Sequence, residues 1–579
     1  VLGVASGHES LRSAAAPDPR FAGLREAAKV TLCDERTMRA IDAHLRETYS
    51  GGYVAHSRRT VLRGGTVVDG QRQRTRAADV AIEGERITIV GTVDDHPRDT
   101  VIDCTGRLIM PGFIDAHAHL EGAVFDPDVQ HAMLRQGITS VICGQDGVSY
   151  VPGDTGWASQ YFAAINGPHP TLAGPRVRDA LASYDNATAV NVGLLVPAGN
   201  VRHAVMGMDT GRASARQLTQ MKRMVKDGLA DGALGLSTGL DYVPGLFADA
   251  EEIARLCEPV AAAGAVYVTH MRGGYEANSE FGVREVARIL ERTGVRGHIS
   301  HFHLPAAEGR RLLSDLTAAG HDVTFDMYPY TRGCTLLAMA LLPPEYSALS
   351  VDDAVARLQD TRERQRLMSE WFPQVAQKAS LGPAWPSMIT IAHAPHLDWM
   401  WAEGLTLEDV ARRMGSTVVN TVLDLLIELR LEVSAVMAVR DQRPDADLAK
   451  LFSHDAYLAG SDGIVLGGSP HPRAFGAFAR LLTTFVGRSF TWAGAAMHLS
   501  GRTAARFGLG DRGAVRPGWI ADLAIVSPAH VRDEATYDRP RQLATGIDDV
   551  FVAGTHVLAG GALTQERPGR GLRRTAAAR

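Results

Sequence analysis

Sulfur is scarce in this chain: five cysteines (Cys33, Cys104, Cys143, Cys257, Cys334) in 579 residues, odd in number, widely spaced and without a C-x-x-C pair. That usage excludes a disulfide framework and a structural thiolate zinc site, and it points to a reducing compartment. Long apolar runs are missing as well. No window holds eighteen consecutive uncharged apolar residues, so no membrane-spanning helix is expected. The N-terminal VLGVASGHESLRSAAAPDPR lacks the basic-then-apolar pattern of a signal peptide. Nor is there an excess of one charge: the formal net charge of -5 gives no overall pull toward nucleic acid or an anionic membrane, and no basic, aromatic-interleaved patch supports a nucleic-acid partner. The expectation is a cytoplasmic protein with neither nucleic acid nor membrane as partner. Hydrophobic residues at 45% and charged residues at 22% are the ordinary mix of a globular chain.

Organisation follows from periodicity. Residues 1–55 read as short helical fragments, an N-terminal extension. From Thr60, TVLRGGTVVDG, ADVAIEGERITIVG and DTVIDCTG alternate apolar and polar residues between Gly or Asp turns, as antiparallel strands do. Over 108–512 apolar runs alternate with amphipathic segments such as SARQLTQMKRMVKDGLADG. Strand and helix repeated in this way give the content of an α/β fold, a (β/α)8 TIM-like barrel, with a doubly wound sheet of similar size as the alternative that periodicity leaves open. Short strands return over 513–566. Neither strand-rich end has enough strands to bury a face alone, so 56–107 and 513–566 are expected to pair into one small β-sandwich domain. The remainder, 567–579, reads as a basic, frayed tail. Two insert-like stretches, Tyr150–Asn186 and Leu342–Pro386, are expected to shape a pocket mouth.

In such a barrel the functional groups belong at the C-terminal ends of strands. Asp115, His117 and His119 end the first strand, in PGFIDAHAHLEGA. Asp146 follows the second, His270 ends the fifth, His301 the sixth with His303 beyond it, and Asp462 follows the eighth. Residues i and i+2 of an extended segment share a side, so His117 and His119 can reach one ion. Imidazole and carboxylate together suit zinc or a neighbouring divalent metal. His203, His298, His393, His396 and His498 take the blander reading of surface or supporting residues.

PGFIDAHAH with His270, His301 and Asp462 resembles the amidohydrolase superfamily, and QGITSVICGQDGVS, DGALGLSTGLDYVPG, YVTHMR, HISHFH, DMYPYT and GSDG followed by HPRAFGAFAR resemble its N-acyl-D-amino-acid deacylase (D-aminoacylase) family. The resemblance spans roughly residues 60–560 and implies a metal centre of His117, His119, His270, His301 and Asp462, with one or two zinc ions or another divalent metal. The family's strand-two ligand is a cysteine, and here Asp146 stands at that position. Its lysine two residues after the strand-six histidine is His303 here. The resemblance further implies that Arg473, Tyr242 and Tyr328 bind the substrate together with His303, and that Asp462 is the general base. The implied reaction is metal-dependent hydrolysis of a small-molecule amide that also bears a carboxylate. Alternatives on the same scaffold are hydrolysis of a D-peptide, cyclic amide or other specialised amide, or a non-catalytic scaffold role. ALGLSTGLDY has no strand-four lysine of the kind cyclic-amide hydrolases use, which favours linear amides.

Overall fold

The computed structural model describes residues 59–575 apart from 73, 274–277, 379–380 and 441, so the extension expected over 1–55 lies outside the described residues. Eight parallel strands make a barrel: β1 (Phe113–Asp115), β2 (Ile138–Cys143), β3 (Asn191–Leu194), β4 (Gly235–Gly239), β5 (Val266–His270), β6 (Arg296–Ile299), β7 (Val323–Met327) and β8 (Tyr457–Ala459). Val196–Pro197 carries β3 onward to pair with β4. The ring closes where the Ala116 amide donates to Ala459 O and Ala118 bridges Gly463 in parallel. Apolar β-branched side chains suit these strands because both of their faces are covered. Ile114, Ile142, Leu195, Leu234, Val266, Val268 and Leu458 form one buried cluster. On β5 the face of Val266 and Val268 continues to His270, so the two-residue period of a strand carries an imidazole to its C-terminal end.

Helices between the strands bury one stripe each. Ala215–Ala230, for instance, starts at a capping box, with Ser214 and Gln217 satisfying each other's backbone amides, and buries Met221, Val225 and Gly228.

The small domain is made from both ends of the described chain. In one sheet Thr60–Arg63 pairs with Asp79–Glu83 and Thr100–Asp103. In the other, Leu108–Pro111 pairs antiparallel with Leu523–Val526, which pairs in turn with Ile547–Val552. Leu62, Val80 and Ile82 of the first sheet share a core with Ile109, Leu523 and Phe551 of the second. Arg107 ties the two ends further, its Nη1 2.7 Å from Asp549 Oδ2. The apolar run LIMPGFID is therefore divided: 108–111 belongs to the small domain, and the barrel begins at Phe113. Gly112 sits at the break, where a Cβ would strike the side chain of Thr139.

Between β7 and β8 lies an insertion with its own core. Gly333–Leu336 and Ile389–His393 flank Ser434–Met437 in an antiparallel sheet, and helices around it bury Leu337, Leu341, Phe372, Trp385, Leu407 and Leu425. The basic tail is not wholly frayed, since Gly571–Leu572 adds a short parallel strand beside β3 and Arg573 pairs with Asp185 at 3.1 Å. Among the described residues no helix is long and apolar enough to cross a membrane.

Candidate metal centre and active site

Three residues at the C-terminal rim of the barrel turn through the left-handed region without being glycine: Asp146 (φ 54°), His301 (φ 32°) and Asp462 (φ 49°). Such a conformation is uncommon for L-residues and concentrates at functional sites. Each follows the end of a strand, where the turn redirects the chain at the mouth. Backbone packing leaves the Asp146 turn little room, because a Cβ on Gly239 would lie 2.0 Å from Asp146 O.

The donors converge. His117 Nε2 is 3.8 Å from Asp146 Oδ1 and 3.6 Å from Asp462 Oδ1. His119 Nε2 is 3.6 Å from Asp146 Oδ2 and 3.3 Å from Asp462 Oδ1. His301 Nε2 is 3.7 Å from Asp146 Oδ1 and 3.0 Å from His270 Nδ1. Two groups of three therefore form around one shared carboxylate: His117, His119 and Asp146, and Asp146, His270 and His301. Two donors bound at about 2.1 Å to one tetrahedral ion stand about 3.4 Å apart, which is the range seen here. His117 Nε2 and Asp146 Oδ1 are also buried without a hydrogen-bond partner, an expensive arrangement unless a cation satisfies both. The residues fit a pair of divalent cations.

Other carboxylates aim the imidazoles. Asp326, on β7 and fully buried, has Oδ2 3.3 Å from His117 Nδ1 and 2.9 Å from His298 Nε2, while its Oδ1 accepts from the His301 amide. Asp241 Oδ2 is 3.2 Å from His270 Nε2. Asp115 accepts from the amides of His117 and Ser461, holding the two rim turns together. A carboxylate on the far ring nitrogen fixes tautomer and orientation for a metal-binding histidine. Neither Asp326 nor Asp241 was expected from the sequence. Asp326 stands in DMYPYT and Asp241 in GLDYVPG, where nothing local marks a carboxylate that steadies a histidine on another strand.

Charge is balanced locally. Burial opposes an imidazolium at His119, but hydrogen bonds and charge from Asp146 and Asp462 outweigh it and raise its pKa to about 10. Burial likewise opposes ionisation of Asp462, yet Arg473 and the imidazoles hold it well below the usual carboxylate range. Divalent cations binding here would displace protons from the imidazoles, so loading is expected to release acid.

A cavity of about 610 Å³ opens over this cluster, and His119, Asp146, His270, His301 and Asp462 face it. Tyr242, Tyr328 and Arg473 line it too. Arg473 is only 1% exposed, with Nη2 2.9 Å from Asp462 Oδ2 and its guanidinium 4.4 Å from the Tyr328 ring centroid. Tyr242 OH lies 3.2 Å from His270 Nδ1. His303 does not line the cavity. Its Nδ1 accepts from Arg443 Nη2 at 2.7 Å and its ring packs on Tyr328 with centroids 4.2 Å apart. Burial and the charge of Arg443 push its pKa well down, leaving a neutral ring that supports Tyr328. Both insert-like stretches reach the mouth, one through Phe162 and Ile165, the other through Leu381 and Lys378.

The sequence profile of the Amidohydrolase family matches residues 100–558. The chain is 32% identical over 530 residues to an N-acyl-D-glutamate deacylase of Alcaligenes xylosoxydans xylosoxydans, covering 89% of this chain and 96% of that one. It is 30% identical over 537 residues to a D-aminoacylase of the same organism, covering 89% and 98%. Its fold is similar to the crystal structure of N-acyl-D-glutamate deacylase from Bordetella bronchiseptica, complexed with zinc and a phosphonate mimic of the tetrahedral intermediate. There the TM-score is 0.73 at 28% identity, with 89% of this chain and 99% of that one covered.

Proposed function

The chain belongs to the amidohydrolase family and, within it, to the N-acyl-D-amino-acid deacylases, and from that premise we propose that it cleaves an N-acyl-D-amino acid into a carboxylate and a free amino acid. Metal-dependent hydrolysis of an amide in a small molecule is the chemistry of the family, and the paired donor sets match it. The observation that carries the substrate assignment is Arg473: a buried guanidinium lining the cavity, beside Asp462 and over the ring of Tyr328. A buried, planar cation in such a place suits a carboxylate held near the scissile bond.

His117, His119 and Asp146 would hold one cation and Asp146, His270 and His301 the other. When bound, the cations polarise the amide carbonyl and lower the pKa of water at the site. Asp462, kept ionised by Arg473 and the imidazoles, takes the proton from the attacking water and passes it to the leaving nitrogen. Tyr242, beside His270, lines the cavity where the substrate would bind, and Tyr328 backs the arginine. His303 acts through Tyr328. The D configuration rests on the relatives' substrates. A reducing, cytoplasmic setting is supported by Cys104, Cys143, Cys257 and Cys334, all unpaired.

The test is a hydrolysis screen of the metal-reconstituted protein on N-acyl-D- and N-acyl-L-amino acids, cyclic amides and D-dipeptides. The expected result is amine release from N-acyl-D-amino acids above all others. A preference for cyclic amides or L-substrates would overturn the proposal.

A further inference from the structure

We propose that Asp146 serves both cation positions, and that the resulting sulfur-free centre takes Mn²⁺, Co²⁺ or Zn²⁺ while discriminating against soft cations such as Cd²⁺. The proposal rests on the metal-centre reading above and goes beyond it in assigning the cation class.

Asp146 is the member common to both donor groups. Its Oδ1 lies between the two groups, 3.8 Å from His117 Nε2 of one and 3.7 Å from His301 Nε2 of the other, while Oδ2 is 3.6 Å from His119 Nε2. Each group is thus two imidazoles and the shared Asp146 carboxylate. Two-metal hydrolytic sites hold their ions about 3.5–4 Å apart, a spacing that one shared carboxylate can serve. The local backbone is compatible with the role, since aspartate tolerates the left-handed conformation (φ 54°) better than most side chains.

Sulfur is accounted for among the described residues. Neither donor group contains a cysteine. Cys143, three residues before Asp146, is 0% exposed and packed in the barrel's outer apolar core with Ala132, Val141 and Val192. Cys334 lines the cavity but belongs to neither group. Cation choice follows ligand softness: thiolate favours soft and thiophilic metals, imidazole suits the later first-row divalents, and carboxylate oxygen extends the range to Mn²⁺. With thiolate absent from both sets, a soft cation loses its advantage.

The full-length chain is stripped with chelator and titrated calorimetrically with Mn²⁺, Co²⁺, Zn²⁺ and Cd²⁺, with elemental analysis of each loaded form and an absorption spectrum of the Co²⁺ form. Expected are two ions per chain and no sulfur-to-cobalt charge-transfer band, unchanged by Cys143→Ala. Asp146→Ala should bind at most one ion. Asp146→Cys should gain the band and raise affinity for Cd²⁺ relative to Mn²⁺ by about tenfold or more. A charge-transfer band in the unaltered chain, two ions retained by Asp146→Ala, or an unchanged Cd²⁺/Mn²⁺ ratio in Asp146→Cys would each overturn the proposal. If Asp146→Ala does not fold, the spectrum of the unaltered chain and the Asp146→Cys ratio decide. These readouts need no substrate. Failure of every amide in the hydrolysis screen, with two ions bound and no band, would sink the substrate assignment and leave the sulfur-free centre standing.

Discussion

Replacing Asp462 by asparagine separates the two things this carboxylate does. It preserves shape and one acceptor oxygen, but removes the negative charge 2.9 Å from Arg473 Nη2 and with it the proton acceptor. At an effective dielectric of about 20, two unit charges at that distance attract by roughly 6 kcal/mol. Part of that is already offset by desolvation, and part of the arginine's charge is met by the Tyr328 ring. Removing one partner of a buried pair typically costs about 3–5 kcal/mol, because the other charge is left buried and alone. We therefore expect Asp462→Asn to lose about 3 kcal/mol or more in denaturant unfolding followed by tryptophan fluorescence, at fixed free metal. Turnover should fall by roughly 10²–10⁴-fold, the contribution of a general base. The double variant Asp462→Asn/Arg473→Met tests the cause. It removes both charges and should recover most of the lost stability, while turnover stays down. Two results would refute the reasoning: unchanged stability in the single variant, which would mean the arginine does not depend on this carboxylate, or turnover within about tenfold of the parent, which would remove Asp462 from proton transfer.

Asp326→Asn should weaken metal binding by about 10–100-fold in calorimetric titration, since the His117 ring loses the carboxylate on its Nδ1; unchanged affinity would show that His117 is aimed by other contacts. Arg473→Met should depress hydrolysis of carboxylate-bearing amides far more than that of neutral amides, and an equal loss on both would show that it does not read that group. Asp549 offers a test away from the active site. Burial raises its pKa, but hydrogen bonds from His556 and Arg107 outweigh that and lower it to about 2 from 3.8. A carboxyl depressed on folding stabilises above its unfolded pKa and loses that contribution as pH falls through the folded one. Asp549→Asn should therefore cost about 2 kcal/mol at pH 5–7 and only about 1 kcal/mol near pH 3 in denaturant unfolding. A cost independent of pH would assign the effect to packing instead of charge.

Local pattern was enough for the barrel and its sandwich, because both rest on short-range rules. Apolar runs at strand period alternating with helix-period segments describe a parallel sheet wrapped by helices. Neither strand-rich end could bury a face alone, and Leu62, Val80 and Ile82 do share a core with Leu523 and Phe551. The same rules put His117, His119, Asp146, His270, His301 and Asp462 at strand ends, where a barrel gathers its loops. What position along the chain cannot express is direction and distance between separated turns. That one carboxylate, Asp146, stands between two pairs of imidazoles depends on three left-handed turns at the rim and on the backbone of Gly239 pressed against one of them. The roles of Asp326 and Asp241 are equally tertiary: nothing local distinguishes a carboxylate that steadies a histidine on another strand from one that faces water. The structure also moved His303 away from the cavity and brought Lys378 to its mouth, since a side chain's partner is decided by the elements packed against it, here the loop carrying Arg443 and the insertion between β7 and β8.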